Sequence, residues 1–304
     1  MELNQLRCFI AVAETLHFGH AAQRLDMLPS ALGRHIRLLE EGLGTRLFIR
    51  STRNVALTPD GQTLLEEGRV LLASADALAA RFRSQGRLNA STLRLGAIDS
   101  AAIGLVPHLL PIFRQVHPEI DVQIYEDKSS RLLPRLKSGR LDLIFIRPPP
   151  QCDPWMTMRF LLYENVVLAI ARHHELASRQ DVSIHELAAL PLIVPERRSR
   201  PHSHDLTMNL FVEAGLKPYV VQKADEKQTI INMVAAEVGG AIMPRWVSRM
   251  SVPNVRFIPI RRQNDSSCNG LPLAAAWMSQ GRDSARDAML AILERELPQI
   301  ARQF

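Results

Sequence analysis

Residues 30–39 split into two chemically opposite faces when laid on a helix. Leu32, Ile36 and Leu39 fall on one side, and Ser30, Arg34 and Arg37 fall on nearly the opposite side. An apolar stripe this regular must be buried, so the chain has to supply partners. It does so just upstream. Leu6, Phe9, Ile10, Ala13 and Leu16 follow the spacing of an amphipathic helix. After a break at "HFG", Ala21, Ala22 and Leu25 predict a second helix whose small residues allow close packing, and "LDMLPS" reads as a tight turn. Two exposed arginines on a helix are ordinarily a solvated face. The preceding helix and tight turn favour a helix-turn-helix instead, with the arginines free to contact guanine or phosphate.

The next residues add a hairpin. Leu47, Phe48 and Ile49 predict a short strand, "RSTRN" a turn and "VAL" a return strand. Arg53, near the tip, is placed to touch phosphate or a minor groove. Thr58 is a helix cap with Pro59 in the first helical position. From Pro59 to about Arg87 there is no proline, and Leu64, Leu65, Leu71, Leu72, Ala75, Leu78, Ala79 and Phe82 recur among charges. So long an amphipathic helix points to packing against a second copy. "SQGRLNAST" then reads as a hinge.

From Leu93 the pattern changes to short apolar strands alternating with helices, which predicts a parallel α/β sheet. The first set is "LRLGAI", a helix from Ile103 to Val116, "IDVQIYE", "SRLLPRLKSG" and "LDLIFI". A second set runs from "NVVLAIA" to "GAIMP", and "LPLAAAWMS" and "SARDAMLAILERELPQ" add one strand and one helix. Ligands of open α/β sheets lie beyond the C-terminal strand ends. That directs attention to the loops holding Asp99-Ser100, Asp127-Lys128-Ser129-Ser130 and Arg147. Helix-start amides and hydroxyls can hold a carboxylate, and an arginine can pair with it. The alternative is that the serines cap helices and Arg147 forms a surface ion pair.

Composition narrows the function classes. The chain has 304 residues, 46% apolar, with a net charge of +6. The basic balance favours a polyanionic partner. No apolar run is long enough to span a bilayer and the N-terminus has no signal-peptide pattern, so a cytoplasmic protein is expected, with no membrane partner. Cys8, Cys152 and Cys268 are too sparse for a disulfide framework or a zinc site. His202-Ser203-His204-Asp205 lacks distant partners for a metal. Neither a metal nor a cofactor is expected. There is no G-x-S-x-G elbow, P-loop or H-E-x-x-H, so catalysis is not expected. The rival readings are an enzyme built on a solute-binding-type fold, and a transport-type binding protein.

Three segments, "LRCFIAVAETLHFGHAAQRL", "ALGRHIRLLEEGLGTRLFIR" and "VALTPDGQTLL", together resemble the winged helix-turn-helix of the LysR-type transcriptional regulators. "HFGHAAQRL" is most similar to the branch that includes regulators of aromatic catabolism, responding to benzoate, muconate and chlorocatechol-derived acids. The resemblance implies a winged helix-turn-helix over 1–58 and a linker helix and hinge over 59–90. It also implies a periplasmic-binding-protein-like effector domain over 91–304, with subdomain I at 91–162 and 267–304 and subdomain II at 163–266. DNA contacts would come from Pro29, Ser30, Ala31, Arg34, His35 and Arg37 on the helix, and from Arg50 and Arg53 on the hairpin. Effector contacts would come from Ser100, Ser129 and Arg147, with His202 and Ser203 in a loop, Arg200 to Asp205, that closes on the ligand. The implied partners are a double-stranded DNA operator, a small anionic effector and a second copy through the linker helix, with a homotetramer expected. A contact with RNA polymerase stays open. The chain departs from the family at the helix start, where Leu28-Pro29-Ser30 replaces Ser-Gln-Pro, at Gly33, where serine is usual, and at Glu237, where glycine is common.

Overall fold

The computed structural model describes residues 1–50, 55–85, 92–261, 270–281 and 283–303. The chain divides into two compact units, 1–82 and 83–304.

In the first unit, helices α1 (Leu3–Thr15), α2 (Phe18–Arg24) and α3 (Pro29–Leu43) precede an antiparallel hairpin of β1 (Phe48–Arg50) and β2 (Val55–Leu57). Leu6, Phe9, Val12, Ala21, Leu32, Ile36, Leu39 and Phe48 form one buried cluster. The predicted apolar stripe of α3 is thus the face that meets α1 and α2. Phe48 carries the hairpin into this core, its ring 5.3 Å from that of Phe9. Glu40 on α3 braces the hairpin by accepting the Leu47 N–H at 2.9 Å. Helix α4 (Pro59–Gln85) is capped by Thr58, whose hydroxyl accepts the Gly61 N–H at 2.9 Å. A Cβ on Gly61 would stand 2.2 Å from the Leu47 carbonyl oxygen, so only glycine permits that approach.

The second unit has two lobes. Lobe I is a five-stranded sheet ordered β4-β3-β5-β12-β6, from β3 (Thr92–Ala97), β4 (Asp121–Glu126), β5 (Leu143–Ile146), β6 (Met156–Glu164) and β12 (Leu271–Met278). Strands β3, β4 and β5 are parallel, as expected. The sheet as a whole is mixed, which corrects the all-parallel expectation. β12 runs antiparallel to both β5 and β6, because β6 leads out of the lobe and β12 returns to it. Helices α5 (Asp99–Val116), α6 (Ser129–Lys137) and α9 (Ser284–Gln303) accompany this sheet, around a core that includes Leu95, Phe113, Phe145 and Met289.

Lobe II pairs β10 (Ala241–Pro244) and β11 (Val255–Pro259) antiparallel to β7 (Val166–Ala171). β8 (Pro191–Pro195) and β9 (Tyr219–Ala224) are parallel, and a bridge at Leu192 and Gly240 joins the two sets. Helices α7 (Pro201–Glu213) and α8 (Lys227–Ala235) complete the lobe. Between the lobes, the buried Trp246 lies against Gly104 of α5, where a Cβ would come within 2.1 Å of the indole.

Two helices begin earlier than expected. α5 starts at Asp99 rather than Ile103, so Asp99 and Ser100 form its first turn instead of a loop. Its two internal prolines, Pro107 and Pro111, lie on the exposed side, where water can satisfy the carbonyls they release. α7 starts at Pro201, so most of the expected Arg200–Asp205 loop is helical. Glu237 has a φ of +62°, a left-handed backbone that accounts for glycine being common there.

Candidate functional site

The first unit presents α3 as expected for a reading head. Pro29, Ser30, Arg34 and Arg37 are exposed, and Ala31 and His35 are half-buried. The His35 Nδ1 is buried with no hydrogen-bond partner among the described residues, which turns that nitrogen toward the domain. Arg50 ends β1; Arg53 lies outside the described residues. Leu28 is the N-cap, 72% exposed and without a side-chain cap bond, and Pro29 occupies the first turn. Open space surrounds the position of a Cβ on Gly33. Leu28→Ser supplies the missing acceptor and Gly33→Ala removes backbone freedom. Each is expected to stabilise the first unit by up to about 1 kcal/mol, read as a raised urea midpoint in full-length protein.

The second candidate is a cleft between the lobes of the second unit, with a volume of about 260 Å³. Lobe I contributes Ile98, Asp99, Ser129, Leu133, Arg147 and Pro148 to Pro150. Lobe II contributes Arg200, Pro201, His202, Ser203 and Lys227. The N-termini of α6 and α7 both open here, so backbone amides face the cavity with the positive ends of two helices.

Of the five expected effector residues, Ser129, Arg147, His202 and Ser203 meet at this cleft. Ser100 is fully buried and turned onto Arg147 instead. Arg147 is itself buried, which departs from the surface ion pair the sequence allows for it. One terminal nitrogen donates to the carbonyls of Leu271 and Pro272 at 3.1 and 3.0 Å. The other donates to Ser100 Oγ at 3.1 Å and to Glu164 Oε2 at 2.5 Å. Glu164 is wholly buried, so this is an internal ion pair and not a surface one. Ser129 Oγ accepts the Arg147 backbone N–H at 3.1 Å, fixing the end of β5 to the start of α6.

His202 and His204 each bond a backbone carbonyl, Pro148 O through Nε2 at 2.9 Å and Pro195 O through Nδ1 at 2.8 Å. Burial pushes the His202 ring below the ordinary histidine range, so it stays neutral near pH 7 and donates to Pro148 across the lobes. Among the described residues no group of histidine, cysteine and carboxylate side chains is arranged to hold a metal ion. Cys8 is buried and Cys152 exposed; Cys268 lies outside the described residues. No described helix is long and apolar enough to cross a membrane.

Three cations that shape the cleft are not among the expected effector contacts, although Lys128 and Arg200 lie in loops singled out above; Lys227 lies in neither. Lys128, the N-cap of α6, bonds Asp225 and Glu226 of the other lobe at 2.6 and 2.9 Å. Arg200 meets Asp99 at 2.7 Å and Glu226 at 3.0 Å. Lys227 makes a short contact with Asp99. The available signal was positional: Lys128, Arg200 and Lys227 each stand at a helix start that follows a strand. Asp99 is acidic and borders a cleft also lined by cations, and its charge is met by two of them. Burial alone would raise its carboxyl; the Lys227 and Arg200 charges, with hydrogen bonds from Lys227 and the Ser100 N–H, outweigh that and hold it at about 2. A depressed carboxyl contributes stability above its unfolded value near 4, lost as pH falls through the folded value. The stability gap between wild type and Asp99→Asn is therefore expected to be full at pH 5 and to close toward pH 2, as read by denaturant titration at each pH.

An exposed reading helix in one unit and a two-lobed cleft in the other define a class: ligand-responsive DNA-binding regulators. Residues 3–62 match the bacterial regulatory helix-turn-helix protein model of the lysR family, and residues 86–298 match the LysR substrate binding domain model. The chain belongs to the LysR family and is a DNA-binding transcriptional regulator with an effector-binding domain. It is 54% identical over 303 residues to the HTH-type transcriptional regulator TtuA of Agrobacterium vitis, covering 100% of both chains. A crystal structure of full-length BenM aligns with a TM-score of 0.58 at 26% identity, covering 98% of this chain and 97% of that one. The BenM effector binding domain with its effector benzoate aligns with a TM-score of 0.60 at 22% identity, over 68% of this chain and 92% of that one, a likeness of fold.

Proposed function

We propose that the protein binds an operator sequence specifically through α3 and the hairpin, and that a small carboxylate held between its two lobes switches this activity. The observation that carries the effector half is the convergence of two helix N-termini with Lys128, Arg200 and Lys227 on one cleft. The DNA half rests on Ser30, Arg34 and Arg37 standing exposed on a helix whose other face is core. Ile98, Leu133 and Pro148 to Pro150 give the cleft an apolar wall, which suits the ring or chain of an aromatic-derived acid. Such an effector would place the protein near the aromatic-catabolism branch of the family, and benzoate is the effector in the BenM domain structure.

The remaining parts of the reading follow the family architecture. Two copies pair through α4, where Val70, Leu71 and Leu78 are exposed, and pairs assemble into a homotetramer on a two-fold operator. RNA polymerase is the further partner at the promoter. The protein works in the cytoplasm and performs no catalysis.

Footprinting of the DNA upstream of its own gene, against random DNA of equal length, tests the whole proposal. The expected result is a protected two-fold site whose pattern changes on adding a carboxylate. Binding that is equal on both DNAs and steeply salt-dependent overturns it.

A further inference from the structure

The charges around the cleft are not equally committed. Arg147 is engaged inside lobe I by Glu164, Ser100 and two carbonyls. Lys128 is held by two carboxylates, Asp225 and Glu226. Lys227 differs. It is buried, and its ion-pair partner among the described residues is Asp99, which it shares with Arg200. Burial pushes the Lys227 ammonium below the usual lysine range, and Asp99 offsets that only in part while the Arg200 charge adds to it. One carboxylate thus serves two cations, and all three side chains border the same cavity.

We propose that Arg200 and Lys227 are the receptor for the effector's acid group, and that Asp99 is a resident carboxylate standing in that place when no effector is bound. Releasing the two cations costs Asp99 the charges that hold its carboxyl down, a cost the incoming acid has to offset, but part of its support remains. Asp99 sits in the first turn of α5, where its Oδ1 accepts the Ser100 N–H at 2.7 Å and the helix N-terminus favours its charge. An incoming carboxylate relieves the sharing: Lys227 gains a partner of its own, and Arg200 keeps Glu226 beside the ligand. Asp99 is on lobe I, and Arg200 and Lys227 are on lobe II. The exchange therefore replaces a tie between the lobes by a contact through the ligand, which couples occupancy to the lobe interface. Asp99 becomes the residue that sets how strongly the cleft prefers an acid over its neutral analogue. The proposal deepens the carboxylate reading above and rests on it.

Calorimetric titration of the full-length protein with benzoate, muconate, succinate and the neutral benzamide tests it. Wild type is compared with Asp99→Asn, Lys227→Met and the double variant. With the competitor removed, Asp99→Asn is expected to bind at least one acid tenfold or more tighter than wild type, with benzamide unchanged. Lys227→Met is expected to bind that acid tenfold or more weaker, and the double variant to fall back near wild type. Should Asp99→Asn fail to fold, the Lys227→Met loss carries the test alone, since Asp99 then keeps Arg200. Acid binding that is unchanged or weaker in Asp99→Asn, or unchanged in Lys227→Met, overturns the proposal and leaves the carboxylate reading standing. No acid bound by any form overturns both.

Discussion

Arg147→Ala is expected to cost the effector domain about 3–5 kcal/mol, because it leaves the wholly buried Glu164 carboxylate without its cation. Against a total stability of roughly 5–15 kcal/mol for a domain, that is enough to unfold much of the population at 37 °C. Among the described residues Glu164 has one further anchor, the Trp246 backbone N–H at 3.2 Å, which does not neutralise a charge. Replacing both partners, as Arg147→Met with Glu164→Leu, removes the desolvated charges together and is expected to recover most of the loss. Urea denaturation of the four proteins of this cycle checks it. A single variant as stable as wild type would show that water reaches Glu164. The result bears on function too: loss of effector binding in Arg147→Ala would report an unfolded lobe, and cannot by itself place Arg147 against the ligand.

The second large effect is on DNA. Arg34 is exposed on α3 and supports no part of the core, so Arg34→Ala should leave stability unchanged. Its removal is expected to weaken binding to the operator by about 1–3 kcal/mol, roughly fivefold to 150-fold, if the guanidinium reads a base. Affinity for random DNA should fall much less, with a small decrease in salt dependence. Gel-shift titrations on both DNAs across a salt series separate these outcomes. Equal losses on both would make Arg34 a phosphate contact, and no loss on either would remove it from the reading head.

Much of the architecture was legible from periodicity. The stripe of Leu32, Ile36 and Leu39 located the reading helix, and alternation of strand and helix located the α/β region, whose division into two lobes came from the family resemblance alone. Two strands were not legible. β6 mixes buried and exposed positions without a regular repeat, and β11 is a short segment bounded by prolines. Helix starts were misplaced at α5 and α7 because Asp-Ser and Arg-Pro-His-Ser read equally well as loop or first turn. The cleft was legible only in outline. Ser129 and His202 were named as contacts, whereas the loops holding Lys128 and Arg200 were located without the roles of these cations and Lys227 was missed, since their partners lie as far as 128 positions away in sequence.

The sequence by itself determined which faces must be buried, where the chain reverses, and that a basic helix stands exposed. These are local properties, set by spacing and side-chain chemistry within a few turns of chain. Only the tertiary structure decided what each charge does. Arg147 and Arg200 are the same residue type near two strand ends, yet Arg147 neutralises the buried Glu164, while Arg200 shares Asp99 with Lys227 at the edge of a cavity. An arginine's role is fixed by how much water its neighbours exclude and which opposite charge they leave beside it. Both depend on segments that come together only when β12 returns to lobe I and the two lobes close around the cleft.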